Sequence, residues 1–362
     1  MTGTVGLVMI VKNEEAVIER ALRSAIPYIG TYVIVDTGST DRTKEIIHEV
    51  MTGIPGLLVD RPWTNFGVNR SEALALCDGR MKWAIMMDAD DTIEGVVPGA
   101  AMWEHDELDA FMMSLKHGSM VHRRVQIFRT GIGWYYDGPV HETPDCRGKN
   151  DIHIGVLPPE IYMVTRCEGA RSQNPTKYLD DACLLEKELQ DHPNNPRIVF
   201  YLAQSYRDAG VHDQAFIWYK RYLDISGREE TEKYLCYMSL IALTSDVSEQ
   251  MRYAWAGVEL FPDRLEVPFA LFSQRRKDGR PITQECFALS NVTKNRSIHP
   301  SHSCSIPEIY EWGFDNERTV IATATGHIKE AYESAMRCAV YAPTEEMRSL
   351  ARRNAEILEK DL

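Results

Sequence analysis

KWAIMMDADDTI, Lys82 to Ile93, is the stretch that decides the fold of the first half of the chain. Apolar residues run through its first half, and the run ends in three carboxylates, those of Asp88, Asp90 and Asp91. An unbroken apolar run favours a strand that is covered on both faces, as in a parallel sheet. Parallel sheets bind ligands at the carboxyl ends of their strands. The stretch therefore predicts a ligand site at the end of a buried strand.

Strand-like and helix-like segments alternate through the first half of the chain. Apolar, β-branched runs such as TVGLVMIV (4–11) and YVIVD (32–36) each precede a segment with apolar residues at helical spacing. The alternation predicts an α/β domain with a Rossmann-like, mostly parallel sheet, whose right-handed crossovers put all the strand ends at one edge. Residues 12–14, Asp36 and Asp88 should meet there. A helix is predicted over residues 39–51, with Ser39 or Thr40 as its N-cap.

The second half of the chain has a different pattern, which predicts helices almost throughout. One unit follows the spacing of a tetratricopeptide repeat, with Leu202, Ala203, Tyr206, Gly210, Ala215 and Tyr219 at the diagnostic positions. A weaker echo occurs at Gly326, Ala331 and Pro343, and the segments between fit poorly. The sequence therefore predicts an α/β domain over residues 1–170 and an all-α, tetratricopeptide-like domain over residues 171–362.

The chain has 362 residues and a formal net charge of −13. Non-specific binding to nucleic acid or to an anionic membrane needs a basic surface, so this charge disfavours both. A local basic groove is compatible with it, which leaves nucleic acid disfavoured as a partner but not excluded.

Three further features concern the compartment. No apolar run approaches the length of about 18 residues that a membrane-spanning helix needs, and the N-terminal residues lack the basic segment and cleavage site of a signal peptide. The eight cysteines form no Cys-x-x-Cys pair, which is typical of free thiols in a reducing compartment. We expect a cytoplasmic protein without a membrane span.

The acids at the end of the Lys82–Ile93 stretch need a cation if all are to be ionised, because like charges this close raise one another's pKa. Oxygen ligands without cysteine suit Mg²⁺ or Mn²⁺, whose shells substrate phosphates often complete. Asp88-Ala89-Asp90 therefore predicts a metal–diphosphate site. The alternative interpretation is an ordinary surface turn, in which the two aspartates would bind no metal.

Two other segments carry candidate chemistry. In VDTGSTDRT (35–43), Asp36 ends a strand and could accept a hydrogen bond from a uracil or ribose, although an ordinary capped turn would look similar. In WYYDGPVHE (134–142), the aromatic residues suit sugar rings or simple packing, and His141 and Glu142 offer a metal ligand and a base. The dinucleotide fingerprint and the Walker motif are both missing from the sequence.

Together these segments resemble the family 2 glycosyltransferases of the GT-A fold. They are most similar to the branch that joins this domain to tetratricopeptide-type helices, to which sublancin-type S-glycosyltransferases also belong. The segments that carry the resemblance are VMIVKNEEAVIERALRSAI (8–26), VIVDTGSTDRTKEII (33–47), MMDADD (86–91), DGPVHE (137–142), PRIVFYLAQSYRDAG (196–210) and EIYEWGFDNER (308–318).

The resemblance implies roles for individual residues. Residues 1–170 would be the nucleotide-sugar-binding catalytic domain, with Glu142 as the general base and Asp88, Asp90 and His141 as metal ligands. The donor-binding residues would be Lys12, Asn13, Glu14, Asp36, Gly38, Ser39, Arg70, Asp88, Ala89 and Asp90. Contacts with the acceptor or the diphosphate would come from Asp91, Trp134, Tyr136, Arg171 and Lys177.

The activity that the resemblance implies is an inverting, metal-dependent transfer of a sugar from a UDP-sugar to a hydroxyl or thiol, with Mn²⁺ or Mg²⁺ as cofactor. The acceptor would be a protein, a peptide or a glycan. Two alternatives stay open at this point: a nucleotidyltransferase on the same fold, and a non-catalytic helical-repeat scaffold that binds a protein partner. The sequence also leaves open which sugar is transferred and whether the helical domain forms a homo-oligomer.

Overall fold

A computed structural model describes residues 4–118, 120–293 and 306–362 of the chain. Contacts divide the chain into two compact units, Met1–Glu188 and Leu189–Leu362. Within the described ranges, every helix is too short or too polar to cross a membrane.

The first unit is an α/β domain built on one large mixed sheet. Its strands are β1 (Val5–Val11), β2 (Thr31–Asp36), β3 (Gly56–Asp60), β4 (Trp83–Met86), β5 (Thr92–Gly95), β6 (Ala110–His117), β7 (Met120–Arg129), β8 (Trp134–Asp137), β9 (Thr143–Cys146), β10 (Ile154–Val156) and β11 (Ile161–Val164). Its helices are α1 (Ile18–Ala25), α2 (Thr43–Val50) and α3 (Phe66–Ala75), and α4 (Lys177–Asp191) begins in it.

The sheet combines a parallel half with a mixed half. The strand order is β3-β2-β1-β4-β7-β6-β11-β5, with β10 paired to β6. The first four strands in this order are parallel, whereas β7 runs antiparallel to both β4 and β6. Strands β8 and β9 form a separate two-stranded sheet. The predicted α/β architecture with a mostly parallel sheet is thus confirmed.

The parallel strands are buried on both faces because their apolar residues alternate between two cores. On one face, Leu7 and Met9 pack in a cluster that includes Ile18 of α1. On the other face, Val8 and Val35 pack in a cluster with residues of α3. Helices on both sides therefore hold the strand ends in a fixed position.

The predicted N-cap of the second helix is wrong. Helix α2 begins at Thr43, and Asp41 Oδ1 accepts a hydrogen bond from the Thr43 backbone N–H at 3.0 Å. Ser39 and Thr40 instead bond to Asn13 in the loop after β1, at 2.9 and 2.8 Å. Long-range bonds thus keep these residues in a loop that local propensity assigned to a helix.

The second unit is helical throughout its described residues, as predicted. Its helices are α5 (Pro196–Asp208), α6 (His212–Asp224), α7 (Glu230–Leu243), α8 (Val247–Leu260), α9 (Glu266–Lys277), α10 (Gln284–Thr293), α11 (Phe314–Ala324), α12 (Ile328–Tyr341) and α13 (Glu345–Glu359), with a π-helical turn at Ile309–Gly313.

Two helix pairs of this unit share the same turn. Gly210 and Gly326 have positive φ angles of +76° and +79° at the ends of α5 and α11. Five residues later, Ala215 and Ala331 are completely buried where the next helix packs. Glycine allows the left-handed turn and alanine allows close packing of the helices, so the weak echo in the sequence corresponds to a repeated helix–turn–helix.

We expect Gly67→Ala to destabilise the first unit. A Cβ at Gly67 in α3 would lie 2.2 Å from the carbonyl oxygen of Gly138, which is backbone and cannot easily move. The unfolding free energy in urea should fall by about 1–3 kcal/mol, although alanine is the better helix former. Gly99→Ala, where a Cβ meets no atom within 4 Å, is the matched control and should change it by less than about 0.5 kcal/mol. Equal stability of the two variants would contradict this packing.

Candidate functional site

The candidate site lies at the carboxyl edge of the parallel half of the sheet. Val11 is paired with Asp36 in the β1–β2 ladder, and Val8 is paired with Met86 in the β1–β4 ladder. The residues that follow these positions therefore share one edge. They are residues 12–14 after β1, Thr37 after β2, and Asp88 after β4.

Asp36 is completely buried, and only one of its two carboxylate oxygens is hydrogen-bonded within the described residues. Its Oδ1 accepts hydrogen bonds from the backbone N–H groups of Gly38 and Ser39, at 2.9 and 2.8 Å. Its Oδ2 is buried and has no hydrogen-bond partner in the part of the chain that the structure describes. Leaving a buried acceptor unpaired costs free energy. The free oxygen is thus positioned to accept a hydrogen bond from a ligand.

The loops after β1 and β2 are bonded to each other. The Asn13 N–H donates to Ser39 Oγ at 2.9 Å, and the Thr40 N–H donates to Asn13 Oδ1 at 2.8 Å. The Glu14 N–H donates to Thr43 Oγ1 at 2.7 Å. In this structure Asn13 and Ser39 therefore fix the shape of the edge beside Asp36.

Arg70 of α3 joins two acids from separate parts of the chain. Its Nη2 donates to Asp88 Oδ1 at 2.6 Å, and its Nε lies 2.7 Å from Glu142 Oε1. The guanidinium is buried, Glu142 is 13% exposed, and Asp88 is 38% exposed. The Tyr136 ring lies 5.9 Å from the Arg70 carbon Cζ. One buried cation thus sets the position of the predicted base relative to the Asp-x-Asp segment.

The charges at this edge shift several pKa values. Burial favours the neutral form of Asp88, but the positive charges of Arg70 and Arg124 outweigh it and hold its pKa below the usual range. Burial raises the pKa of Asp91 to about 7, and the neighbouring Asp88 and Asp90 add to the rise. Burial likewise raises the pKa of Glu14 to about 7, with repulsion from Asp90. The edge therefore holds more acids than its own cations balance.

The segment after β11 covers two of these acids. The Gly169 N–H donates to Asp90 Oδ2 at 2.9 Å, and the Ala170 N–H donates to Glu14 Oε2 at 3.0 Å. A Cβ at Gly169 would lie 3.1 Å from Glu14 Oε2 and 3.3 Å from Asp90 Oδ2. Glu14 and Asp90 therefore face the same point from different loops.

A cleft with a volume of about 390 Å³ opens beside these acids. Its walls come from the ends of β1 and β2, from two aromatic residues before and in α3, and from the segment that leads into α4. The lining includes Lys12, Asn13, Glu14, Thr37, Trp63, Phe66, Arg171, Asn174 and Lys177.

The aromatic wall of the cleft was not predicted. Trp63 and Phe66 meet edge to face, with ring centroids 4.8 Å apart, and Trp63 is 37% exposed. The Arg171 carbon Cζ lies 4.2 Å from the Phe66 centroid, and Arg171 also pairs with Asp181. The segment RPWTNF (61–66) directly after β3 was the available signal, because it places aromatic residues at the carboxyl end of a strand.

One predicted site residue, Trp134, lies apart from the cleft. Trp134 packs against Phe128 with centroids 5.1 Å apart, and it lines a separate cavity of about 290 Å³ with Asp78 and Arg129. Arg129 is paired with Trp83, the first residue of β4, so this cavity lies at the opposite edge of the sheet from Asp88. Packing accounts for the position of Trp134.

The predicted metal ligands are not assembled as a set of three. Among the described residues, no three His, Cys, Asp or Glu side chains are grouped so that they could hold a metal ion. His141 is exposed and has a φ angle of +52°, in the turn before β9. Ala89, between the two predicted aspartate ligands, is buried in the core. Metal binding by Asp88, Asp90 and His141 stays a prediction.

We expect Arg70→Met to lower stability by leaving two acids without their shared cation. The unfolding free energy should fall by roughly 2–4 kcal/mol, less than for a fully buried pair because Asp88 is partly exposed. The exposed Arg80→Met removes the same charge and is the control, with a change below about 0.5 kcal/mol. Adding Glu142→Gln to Arg70→Met should restore part of the lost unfolding free energy. If the effects of the two substitutions simply added, Arg70 and Glu142 would not be energetically coupled.

Comparison with protein families gives a match within the first unit. Residues 7–131 match the model of "Glycosyl transferase family 2". A TPR repeat-containing protein of Synechococcus elongatus is 28% identical over 148 residues, which are 39% of this chain and 35% of the relative. An uncharacterized glycosyltransferase of Rickettsia bellii is 30% identical over 93 residues, 26% of this chain and 30% of the relative. The matches thus span about a third of the length of these relatives.

Solved structures include more distant similarities. TarS of S. aureus (residues 1–349, in complex with UDP-GlcNAc) matches with a TM-score of 0.38 and 15% identity, over 78% of this chain and 95% of that one. TTC0263, a TPR protein of Thermus thermophilus, matches with a TM-score of 0.30 and 13% identity, over 49% of this chain and 90% of that one. The family model, whose span contains Asp36, Arg70, Asp88 and Asp90, is the stronger finding. Residues 7–131 of the first unit, about a third of the chain, thus match the family 2 glycosyltransferase model, and a helical unit follows this unit.

Proposed function

We propose that the protein transfers a sugar from a UDP-sugar to a hydroxyl or thiol of an acceptor, with inversion and with a divalent ion. The observation that carries the proposal is the cleft of about 390 Å³ within the first unit, which borders a cluster of acids through Glu14. A nucleotide diphosphate needs a pocket for its base and ribose beside a site for phosphates and metal, and a cleft next to clustered carboxylates supports this assignment.

The nucleoside would bind at the ends of β1 and β2. Asp36 Oδ2, buried and without a partner among the described residues, would accept a hydrogen bond from the uracil N–H or from a ribose hydroxyl. Thr37, the residue after Asp36, lines the cleft together with Lys12 and Trp63, and the exposed indole of Trp63 offers an apolar face to the nucleoside. Binding would thus satisfy an atom that the protein leaves unpaired.

The acids fit a hard divalent cation. Their ligand atoms are all oxygens, and Asp91 Oδ1 is buried without a hydrogen-bond partner in the described ranges. Arg124 opposes the rise in the pKa of Asp91 but does not outweigh burial and the charges of Asp88 and Asp90. Mg²⁺ and Mn²⁺ typically bind one or two carboxylates and complete their shells with substrate phosphates, so a set of three protein ligands is not required. Asp88 and Asp90 would hold the ion, which when bound supplies positive charge to the departing diphosphate.

The chain's own residues would carry the proton and part of the charge. Glu142 would take the proton of the acceptor hydroxyl or thiol, whose oxygen or sulfur then forms the bond to C1 of the sugar. The bond from C1 to the diphosphate oxygen breaks, and its electron pair leaves with UDP. Arg70 holds Glu142 by Oε1, which leaves Oε2 for the proton. Arg171 and Lys177, which line the cleft, would stabilise the diphosphate.

We expect UDP to stabilise the protein thermally when Mn²⁺ is present and not when EDTA is present. At a hundred times its dissociation constant, the nucleotide should add about 2.7 kcal/mol. Asp36→Asn should lose most of this gain, and Asp90→Ala should lose the part of the gain that requires Mn²⁺. Asp60→Asn is the matched control, because Asp60 ends β3 at the same edge but is exposed. If no nucleotide stabilised the wild type under any metal condition, the donor site would be wrong and the scaffold alternative would gain support.

Glu142→Gln should lower kcat by about 10²–10⁴-fold, because the amide cannot accept the acceptor's proton. Stabilisation by UDP and Mn²⁺ should persist in this variant, which separates loss of the base from loss of donor binding. The exposed Glu160→Gln serves as the control and should retain the wild-type rate. Full turnover by Glu142→Gln with an alcohol acceptor would show that another group removes the proton. Product analysis adds a further check, since release of pyrophosphate in place of UDP would indicate nucleotidyl transfer.

A further inference from the structure

The hairpin of β6 and β7 is basic in an acidic chain. We use the name basic hairpin for residues 110–129. Residues 110–136 include four Lys or Arg residues and no Asp or Glu, although the whole chain has a net charge of −13. The outer part of the hairpin also carries His117 and His122, both exposed. Its local charge is thus opposite to that of the chain as a whole.

The basic hairpin extends past the end of β4. The β4–β7 ladder ends at the pair Ile85–Ile127, whereas β7 begins at Met120. Because β7 runs antiparallel to β4, its first residues continue beyond the carboxyl end of β4, where Asp88 lies. At about 3.3 Å per residue, this overhang is roughly 20 Å long. The hairpin therefore reaches out on the same edge as the candidate site.

A β-bulge directs one of the arginines toward the acids. The β6–β7 register passes from Phe111–Ile127 to Met112–Val125, so Gln126 is the extra residue. Gln126 is buried, and its Nε2 donates to the Met86 carbonyl at 3.1 Å. Arg124 Nε donates to Gln126 Oε1 at 3.0 Å. The carbonyl group at the end of β4 thus positions the guanidinium of Arg124 through the buried side-chain amide of Gln126.

Two arginines of the basic hairpin, Arg123 and Arg124, form no ion pair with any acid of the described residues, whereas Arg129 pairs with Asp106. The positive charge of Arg124 acts on both Asp88 and Asp91. Among the ion pairs of the described residues, however, none includes Arg123 or Arg124, and both are exposed. Arg124 is therefore available to a ligand that approaches the acids, and Arg123, the preceding residue of β7, extends from the opposite face of the same strand.

The donor cleft does not use the basic hairpin. Its walls come from the ends of β1 and β2, from residues 63–66 and from residues 170–184. In an enzyme with two substrates, a charged surface beside the acids but outside the donor cleft is suited to the second substrate. This step rests on the proposed function.

We propose that the basic hairpin binds an acidic peptide segment as the acceptor, with one carboxylate of the peptide on Arg124, the nucleophile between Arg124 and Asp88, and a second carboxylate on Arg123 across the edge of β7. Arginine pairs with carboxylates through two parallel hydrogen bonds, which fixes orientation as well as position. A long polyanion such as RNA meets repulsion from the rest of a chain with a charge of −13, whereas a few carboxylates around one nucleophile do not. A short acidic peptide is therefore favoured over nucleic acid.

The test uses short fluorescein-labelled peptides with one Ser or one Cys, flanked by Asp and Glu, by Asn and Gln, or by Lys. Fluorescence polarisation gives their affinity for the full chain without any need for turnover. We expect the acidic peptides to bind best, and more weakly as salt is added. The double variant Arg123→Ala/Arg124→Ala should weaken their binding roughly 3- to 30-fold, as the loss of two exposed charge pairs implies.

Two further variants separate charge from folding. Arg123→Lys/Arg124→Lys should retain most of the affinity, and Arg80→Ala, an exposed arginine just before β4, should retain all of it. In a turnover assay, the double variant Arg123→Ala/Arg124→Ala should show a raised KM for the acidic peptide with little change in kcat. Equal binding of acidic and neutral peptides, or tighter binding of a single-stranded RNA that depends on the same arginines, would overturn the proposal.

The same samples distinguish a failure here from a failure of the proposed function. Stabilisation by UDP and Mn²⁺ should persist in the hairpin variants, because none of the described hairpin residues lines the cleft. If UDP binds but acidic and neutral peptides bind equally well, only the acidic-peptide acceptor is refuted, and the proposed transfer reaction stands. Arginine-dependent binding of acidic peptides without any nucleotide binding would refute the transfer reaction and keep the surface as a peptide-binding site.

Discussion

One buried guanidinium organises the candidate site. Arg70 bonds to Asp88 after β4 and lies 2.7 Å from Glu142 in the loop before β9, two acids that are distant in sequence. Without a cation, two partly buried carboxylates would repel each other and separate. The close approach of Gly67 to the Gly138 backbone holds α3 against the segment that carries Glu142. The position of Glu142, the proposed base, relative to Asp88 thus depends on one helix and its arginine.

The rest of the edge contains two acids with raised pKa values and one buried carboxylate oxygen that lacks a hydrogen-bond partner among the described residues. Burial and mutual repulsion raise the pKa of Glu14 and of Asp91 to about 7, and Asp36 keeps one buried oxygen without a partner among the described residues. Such groups lower the stability of the folded chain, so an edge with several of them is typical of a site that a ligand completes. A nucleotide diphosphate with a divalent ion would supply both the missing donor and the missing positive charge.

The sequence was informative where structure is local. Alternating periodicity predicted the α/β unit and the edge at which Asp36 and Asp88 lie, and the glycine–alanine spacing predicted the turn shared by α5–α6 and α11–α12. Pairings between distant segments were not predictable from one chain. The Arg70–Glu142 contact and the antiparallel insertion of β7 beside β4 are examples. The N-cap of α2 failed for the same reason, because Asn13 binds the residues that local propensity assigned to the helix.

A crystal structure of the protein with UDP and Mn²⁺ tests the central claim most directly. The account predicts that the uracil or ribose bonds to Asp36 Oδ2 in the cleft beside Trp63, and that the ion lies between the diphosphate and Asp88 and Asp90. It also predicts that Arg70 still joins Asp88 to Glu142 when the nucleotide is bound. A nucleotide bound elsewhere, or a cleft that stays empty at saturating UDP and Mn²⁺, would contradict the assignment of this edge as a donor site.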